Sequence, residues 1–527
     1  MITVLAYWLL LFFIFLPGGL LLNNILKLRT ANITLLILTG MFFYTVIFTV
    51  AAFLMPLSAI VFYSAAGVSI LTLVIYRKDA AGVLRAAASQ FRSLPASYKI
   101  IFTLLAAGAA LKSAQLPGIT DNETYYVQTI KWLNEYGIVK GLGNLHVFLS
   151  QTSSWHVLQA GLNFSFITDR LNDINGFLFV VCLFLYFNEG KTERKTVSLT
   201  ATIPLFSAVF FYFIDAPSPD LPLLVVFPII IHLLLKRHIV LAWILFLFLA
   251  FIKITIAPLG LLFLYPLFRE RTQLLFMAAS GFFVLVLWIL KNIVISGYPI
   301  YPFTSFGTGA EWQVPGQLLE GLHATSNIYV YGTADDTTAA GKFWSWLCRS
   351  GIDGLFNKLM IILLATVPCL AIFRKDKRYR AIYGVVLLQF IIVYVMSAQF
   401  RFFLPGMLFL SACLAAAVIN GFKKIPVYNT ALAIMIVACA YSFSEIKGRS
   451  LLLPEKNHRN ICRYSLQSMG NLNYFSPDTA PLMYYTGNGP LPCVNKRQVL
   501  YFHRKYNIRP QMAGKSINEG FRSVKTN

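Results

Sequence analysis

Charge is what this chain of 527 residues has least of. Only 12% of its residues are Asp, Glu, Lys or Arg, while 57% are hydrophobic and the mean hydropathy is +0.67. Soluble domains carry about 25% charged residues, so the composition excludes an ordinary soluble domain and calls for many membrane spans. Acid is scarcer still: 21 Asp and Glu against 44 Lys and Arg, a formal charge of +23. The cations gather between apolar runs, as they do in cytoplasmic loops. The charge therefore records topology, and no nucleic acid is expected as a partner. Cysteine is sparse, seven residues with no Cys-x-x-Cys pair, which removes the usual thiolate metal and redox motifs. Cys182, Cys369, Cys413 and Cys439 lie in apolar runs and read as small buried hydrophobes. The first apolar run, Val4 to Leu22, has no basic flank and no small-residue cleavage site, so it reads as a retained span rather than a signal peptide. Internal repeats and low-complexity tracts are missing as well.

What is present is a long series of apolar runs. A span takes roughly 20 apolar residues, fewer where helices are short or broken. Residues 3–23, 33–54, 57–76, 100–114, 174–188, 197–214, 221–235, 239–252, 255–268, 273–291, 355–372, 381–397, 404–421 and 427–443 qualify, about fourteen spans. Several are short enough to need a tilt or a thinned bilayer. The basic loops are Lys27/Arg29, Arg77 to Lys99, Lys191 to Lys195, Lys236-Arg237, Arg269 to Arg271, Arg374 to Arg380 and Lys423-Lys424. Threading puts all of them on one side, provided that residues 239–268 form a hairpin of two short helices broken near Lys253 and Pro258. The amino terminus is then outside. So are residues 115–173 and 292–354, the tight turn from Asp215 to Asp220, the Gln399-Phe400-Arg401 turn and the tail.

The fold expected is an all-α integral membrane bundle, with a polytopic domain over residues 1–443 and an external carboxyl-terminal region over 444–527. Tyr125 to Glu135 reads as an amphipathic helix at the membrane interface. A second starts at Ser153-Ser154, with Trp155, Leu158 and Leu162 on one face. Residues 292–354, with Trp312, Trp344 and Trp346, read similarly, and the tail reads as a small irregular unit. Cys462 and Cys493 both fall in that tail, where they are oxidisable; their pairing is left open.

Pro117 to Gln128 is the first place where carboxylates stand between long apolar runs. Asp121 or Glu123 could serve as a general base on an acceptor hydroxyl. Equally, Thr120-Asp121-Asn122-Glu123 fits a capping box, with Thr120 as N-cap and Glu123 reaching back. Asp215 and Asp220 bracket a Pro-Ser-Pro turn, which prolines explain by themselves, although two carboxylates between spans are costly unless solvated or used. Lys253 at a helix break is either functional or a snorkelling anchor. Arg401 suits a phosphate held bidentately or an ordinary interfacial anchor. His146 and His156 read as hydrogen-bonded loop histidines rather than metal ligands. No cofactor is expected, and a divalent metal has no support. One acidic loop, one or two cations and an aromatic shell on the same membrane face suit transfer from a lipid-linked phosphate donor.

Those stretches carry a resemblance. Asp121 to Gln128 with Trp132, Gly141 to His146, Ser153-Ser154, Ser218 to Pro222, Ser296 to Pro302 with Trp312, and Arg401 to Pro405 resemble the GT-C superfamily of polytopic membrane glycosyltransferases. The chain looks closest to a poorly characterised bacterial family of GT-C-like membrane proteins. The resemblance implies that Asp121 is the catalytic base and leaves Glu123 to the cap; a histidine of the family pattern is replaced by Tyr126. With Lys253, it makes Tyr125, Gln128, Asn144, His146, Asp220, Tyr298 and Arg401 the substrate-binding candidates. The function it implies is transfer of a sugar from a polyprenyl-phosphate donor to a glycan, lipid or protein acceptor at the outer face of a bacterial plasma membrane. The alternatives are a polysaccharide polymerase or ligase, and a lipid-linked saccharide transporter or flippase.

Overall fold

The computed structural model describes residues 1–171, 173–191, 198–264, 271–332, 338–421, 427–444, 446, 451–459 and 463–525. Thr192 to Lys195, Arg269, Glu270, Lys423, Lys424 and Cys462 lie outside the described residues. The chain is mostly helical. Among the described residues, six helices are long and apolar enough to cross a membrane: α1 (Ile2–Ile25), α2 (Ile33–Leu54), Gln273–Ser296, Gly351–Cys369, Lys377–Ser397 and Phe400–Gly421. A seventh follows if α3 (Ala59–Ile75) and α4 (Arg77–Arg92), bent by 88°, count as one span. Other expected spans are shorter apolar helices, among them Asn175–Gly190, Asp220–Leu235 and Ile239–Ile252.

Burial sorts these helices into core and rim. Asp220–Leu235 is apolar all round and buried along nearly its whole length, which is the signature of a central helix. α1 and α2 cross closely because of two glycines. A Cβ on Gly19 would lie 1.8 Å from the Leu36 carbonyl oxygen, and one on Gly40 would lie 1.9 Å from that of Phe15. Small residues at such crossings let backbones touch, which is how helices associate where burial of apolar surface drives little. α3, by contrast, turns Ile60, Ile70, Leu71 and Val74 outward.

Hydrogen bonds show which helix ends lie together. The amino end of α1 meets the tail (Ile2 N donates to Leu451 O, 3.0 Å), as does the end of α5, Ala96–Ser113 (Glu455 N to Ala114 O, 2.9 Å). The carboxyl end of α2 meets the chain just after helix Val127–Glu135 (Ile138 N to Ala52 O, 2.8 Å). At the far end of the central helix, Arg378 donates to Leu235 O (2.9 Å) and Lys236 to Glu189 (2.7 Å). These basic loops therefore share one end of the bundle. That arrangement needs a break at Lys253, and the chain has one: helix Ile239–Ile252 stops at extended Lys253, followed by a 3₁₀ helix over Ile254–Phe263.

Two expectations about residues 115–173 need correction. Helices Val127–Glu135 and Ser154–Leu162 exist, but both are buried on almost every side rather than lying half-exposed on a membrane surface. The tail covers Val127–Glu135, whereas Ser154–Leu162 is buried among α2, Ile239–Ile252 and Val127–Glu135; the tail itself is not irregular. β1 (Tyr464–Met469) pairs antiparallel with β2 (Leu472–Pro477), and β3 (Ile508–Met512) with β4 (Phe521–Lys525); helix Lys496–Tyr506 runs between the hairpins. Met469 faces Leu472 across a two-residue Gly470-Asn471 turn with Gly470 at φ +61°, a hairpin signal readable in the sequence. The chain is thus mostly helical, consistent with the α bundle expected, with a few short strands in its tail.

Candidate functional site

Four chain segments bring charge to one point at the covered end of the bundle. Asp121 precedes a single π-helical turn, Asn122–Tyr126, which continues into Val127–Glu135. Such turns are rare and occur often at functional sites. Asp220 opens the central helix, and the turn before it is pinned by one amide. Asn175 Nδ2 lies 2.8 Å from Phe213 O, 2.7 Å from Ala216 O and 3.0 Å from Ser218 O, while its Oδ1 accepts from Trp155 Nε1 at 2.8 Å. Lys253 projects from the break after Ile252, and Arg401 from the first turn of Phe400–Gly421.

Arg401 Nη1 pairs with Asp121 Oδ2 and lies 4.0 Å from Asp220 Oδ2. Lys253 Nζ pairs with the other oxygen of Asp220. The ring of Phe402 sits beside both cations, 4.3 Å from Lys253 Nζ and 5.4 Å from the Arg401 guanidinium carbon, in cation–π range. Arg401 Nε donates to Gln399 Oε1 (2.9 Å), and Tyr126 Oη donates weakly to Asp121 (3.5 Å). The result is a charge-neutral quartet of two carboxylates and two cations. Its exposure is uneven: the side chains of Asp121 and Arg401 are 23% and 26% exposed, that of Asp220 only 3%. Asp220 is the fixed member, and Asp121 and Arg401 face out. Both carboxylates stand at helix amino ends, where the backbone dipole favours anions. Arg401 stands at such an end against the dipole and depends on the acids.

The quartet separates the candidates of the sequence. Asp121, Asp220, Lys253 and Arg401 come together. Asp215 does not join its neighbour Asp220; it pairs with Lys112 at 2.8 Å in a nearly buried bridge. Glu123 is neither at the quartet nor part of a capping box. Its Oε1 accepts from Asn122 Nδ2 (3.0 Å) and from the backbone N–H of Arg459 in the tail (2.9 Å), and burial raises its pKa. The π turn removes the helical geometry that a capping box needs. Gln128 donates to Gly487 O and Gly489 O (3.0 Å each), Asn144 to Trp312 O (2.7 Å), and His146 Nε2 lies 3.0 Å from Tyr484 O. Tyr298 donates to Val314 O (2.9 Å), and Tyr125 stacks on Phe148. Gln128 and His146 fasten the first loop to the tail, Asn144 joins it to the second loop, and Tyr298 closes the second loop on itself. Tyr125 packs beside the quartet, its ring against Tyr126 and within electrostatic reach of Asp121, Asp220 and Arg401.

Tyr126 and His156 are neighbours of the quartet; the sequence placed His156 in a loop, whereas it lies within helix Ser154–Leu162. Their rings are 4.8 Å apart, and burial with the nearby Lys291 ammonium lowers the His156 pKa to about 3. Lys291 itself is buried, donating to Thr152 O (2.7 Å) and Ser154 Oγ (3.1 Å); a lysine within an apolar run was the available signal. A cavity of about 250 Å³, lined by Lys140, Glu311, Trp312, Ala513 and Glu519, lies where both long loops meet the tail and contains no member of the quartet. Among the described residues, no group of three or more His, Cys, Asp or Glu is placed to hold a metal. Cys493 is buried, its Sγ 3.8 Å from Thr486 O.

Fold and site together define a helical protein with several helices able to cross a membrane and a cross-linked charge quartet at one end of its bundle. More particularly, the chain belongs to the family described as a domain of unknown function, DUF8201, whose model matches residues 1–408. That range holds all four members of the quartet and ends before the tail. No curated protein and no solved structure matches the chain.

Proposed function

We propose that the chain is an inverting membrane glycosyltransferase of GT-C type, acting on a polyprenyl-phosphate sugar at the outer face of a bacterial plasma membrane, with both termini outside. The observation that carries the reading is the quartet, in which a partly exposed carboxylate is held by the cation best suited to a phosphate. Asp121 accepts the proton of an acceptor hydroxyl while that oxygen bonds to the anomeric carbon. The bond from that carbon to the phosphate oxygen breaks, and its electron pair leaves with the polyprenyl phosphate. Arg401 and Lys253 neutralise the charge that develops there. Asp220 keeps Lys253 in place, and apolar helices beside the quartet hold the lipid.

Arg401 cannot serve a phosphate and a carboxylate equally, so donor binding draws the guanidinium from Asp121 and leaves the base free. The purified chain in lipid nanodiscs, given radiolabelled polyprenyl-phosphate sugars and an acceptor extract, tests this. Asp121→Asn should reduce transfer by roughly 100-fold or more, the usual share of a general base. Transfer that survives Asp121→Asn and dies with Arg401→Ala would point to a polymerase or ligase. Labelled lipid crossing vesicles without covalent change would establish a flippase.

A further inference from the structure

At the far end of the bundle from the quartet, α3 runs into α4 with a bend of 88°. A long apolar helix thus gives way to one nearly perpendicular to it. At 3.6 residues per turn, Arg77, Lys78, Arg85 and Arg92 fall within an arc of about 100°. All four are exposed, and Asp79, the one acid of this helix, lies outside the arc. The opposite side carries the packing: Ala80 and Val83 are buried, and Phe91 meets Phe102 edge to face at 5.8 Å. Beside the stripe, α3 exposes Ile70, Leu71, Val74 and Ile75 up to the bend. A basic stripe alone would serve any acidic partner. One that starts where an exposed apolar wall ends matches a leaflet, whose acyl chains meet the wall and whose phosphates meet the stripe.

We propose that α4 is an interfacial helix that binds anionic phospholipid headgroups through Arg77, Lys78, Arg85 and Arg92. The arginines hold phosphate oxygens in pairs, and the bend keeps the stripe at headgroup depth. This rests on the membrane reading and is independent of the proposed transferase activity.

The test uses the full chain in neutral detergent, titrated with phosphatidylglycerol or phosphatidylcholine, with bound lipid counted by native mass spectrometry. The native chain should prefer phosphatidylglycerol, and each cation changed to Gln in R77Q/K78Q/R85Q/R92Q should weaken that binding by roughly fivefold. Raising salt should weaken it in the native chain and much less in the variant. Should the fourfold variant misfold, Arg85→Gln alone should lose roughly fivefold and Arg85→Lys should retain most of the affinity. Equal binding of the two lipids by the native chain overturns the proposal, as does unchanged phosphatidylglycerol binding by a folded variant. Competition by inorganic phosphate at constant ionic strength also overturns it, since the stripe would then be a free-anion site.

Discussion

Removing Arg401 should cost more than removing Asp121, and the two losses should not add. The guanidinium pairs with Asp121 and lies 4.0 Å from Asp220. At that separation, an effective dielectric of about 20 gives about 4 kcal/mol of gross attraction. Desolvation offsets part of this, and both members of the outer pair are about a quarter exposed, so water and salt screen them further. A net coupling of about 1–2 kcal/mol between Asp121 and Arg401 remains, above an exposed pair and below the 3–5 kcal/mol of breaking a buried one. Arg401→Gln also strips Asp220 of its second cation, and Asp220 is almost fully buried. Its cost should therefore reach about 2–3 kcal/mol against about 1 kcal/mol for Asp121→Asn. The assay is unfolding by SDS in mixed micelles, run as a double-mutant cycle. With both changes made, the loss should stay close to that of Arg401→Gln alone. Additivity within about 0.5 kcal/mol would refute the argument that the quartet is one coupled unit.

Three further perturbations have definite outcomes. Burial raises the folded pKa of Glu123 above the ordinary value near 4.3, so the folded state keeps the proton longer and stability falls as pH rises between the unfolded and folded values. Glu123→Gln should abolish that fall in unfolding midpoints, and a persistent fall would exclude Glu123 as its source. His156 and His146 are pushed down to about 3 and about 4. Their neutral forms contribute fully above the ordinary pKa of about 6.5, and that contribution is lost as pH falls toward the folded values. His156→Gln should flatten the acid limb of a stability profile; an unchanged limb contradicts the assignment. Gly40→Ala should destabilise the chain by more than the 1–3 kcal/mol usual for overpacking, because the new methyl meets backbone rather than a mobile side chain. Gly67→Ala, which meets open space, should be neutral or stabilising by up to about 1 kcal/mol.

The limits of reading the sequence follow from range. The break at Lys253 was legible because a lysine and a proline interrupt an apolar run, and the common end of the basic loops follows from it. The capping box was a sound local pattern, yet the chain forms a π turn there and Glu123 turns to Arg459, more than 300 positions away. The same holds for Gln128, Asn144 and His146. A polar residue in a motif looks the same whether it meets a substrate or a distant backbone carbonyl. The Gly470-Asn471 turn, in contrast, was local and could have been found.

Composition, apolar periodicity and the placement of cations determined by themselves that this chain is helical, suited to a membrane, and carries basic loops between its apolar runs. Those properties arise from side-chain transfer energies and local backbone preference, which act over a few residues. Only the tertiary structure decided that Asp121, Asp220, Lys253 and Arg401 form one quartet and that Asp215 belongs to Lys112. It also decided that Glu123 belongs to the tail. Ion pairing depends on separation in space, and here chain separations of up to 280 positions collapse to contact because the central helix packs against the helices that carry Lys253 and Arg401, while Asn175 pins the turn before Asp220.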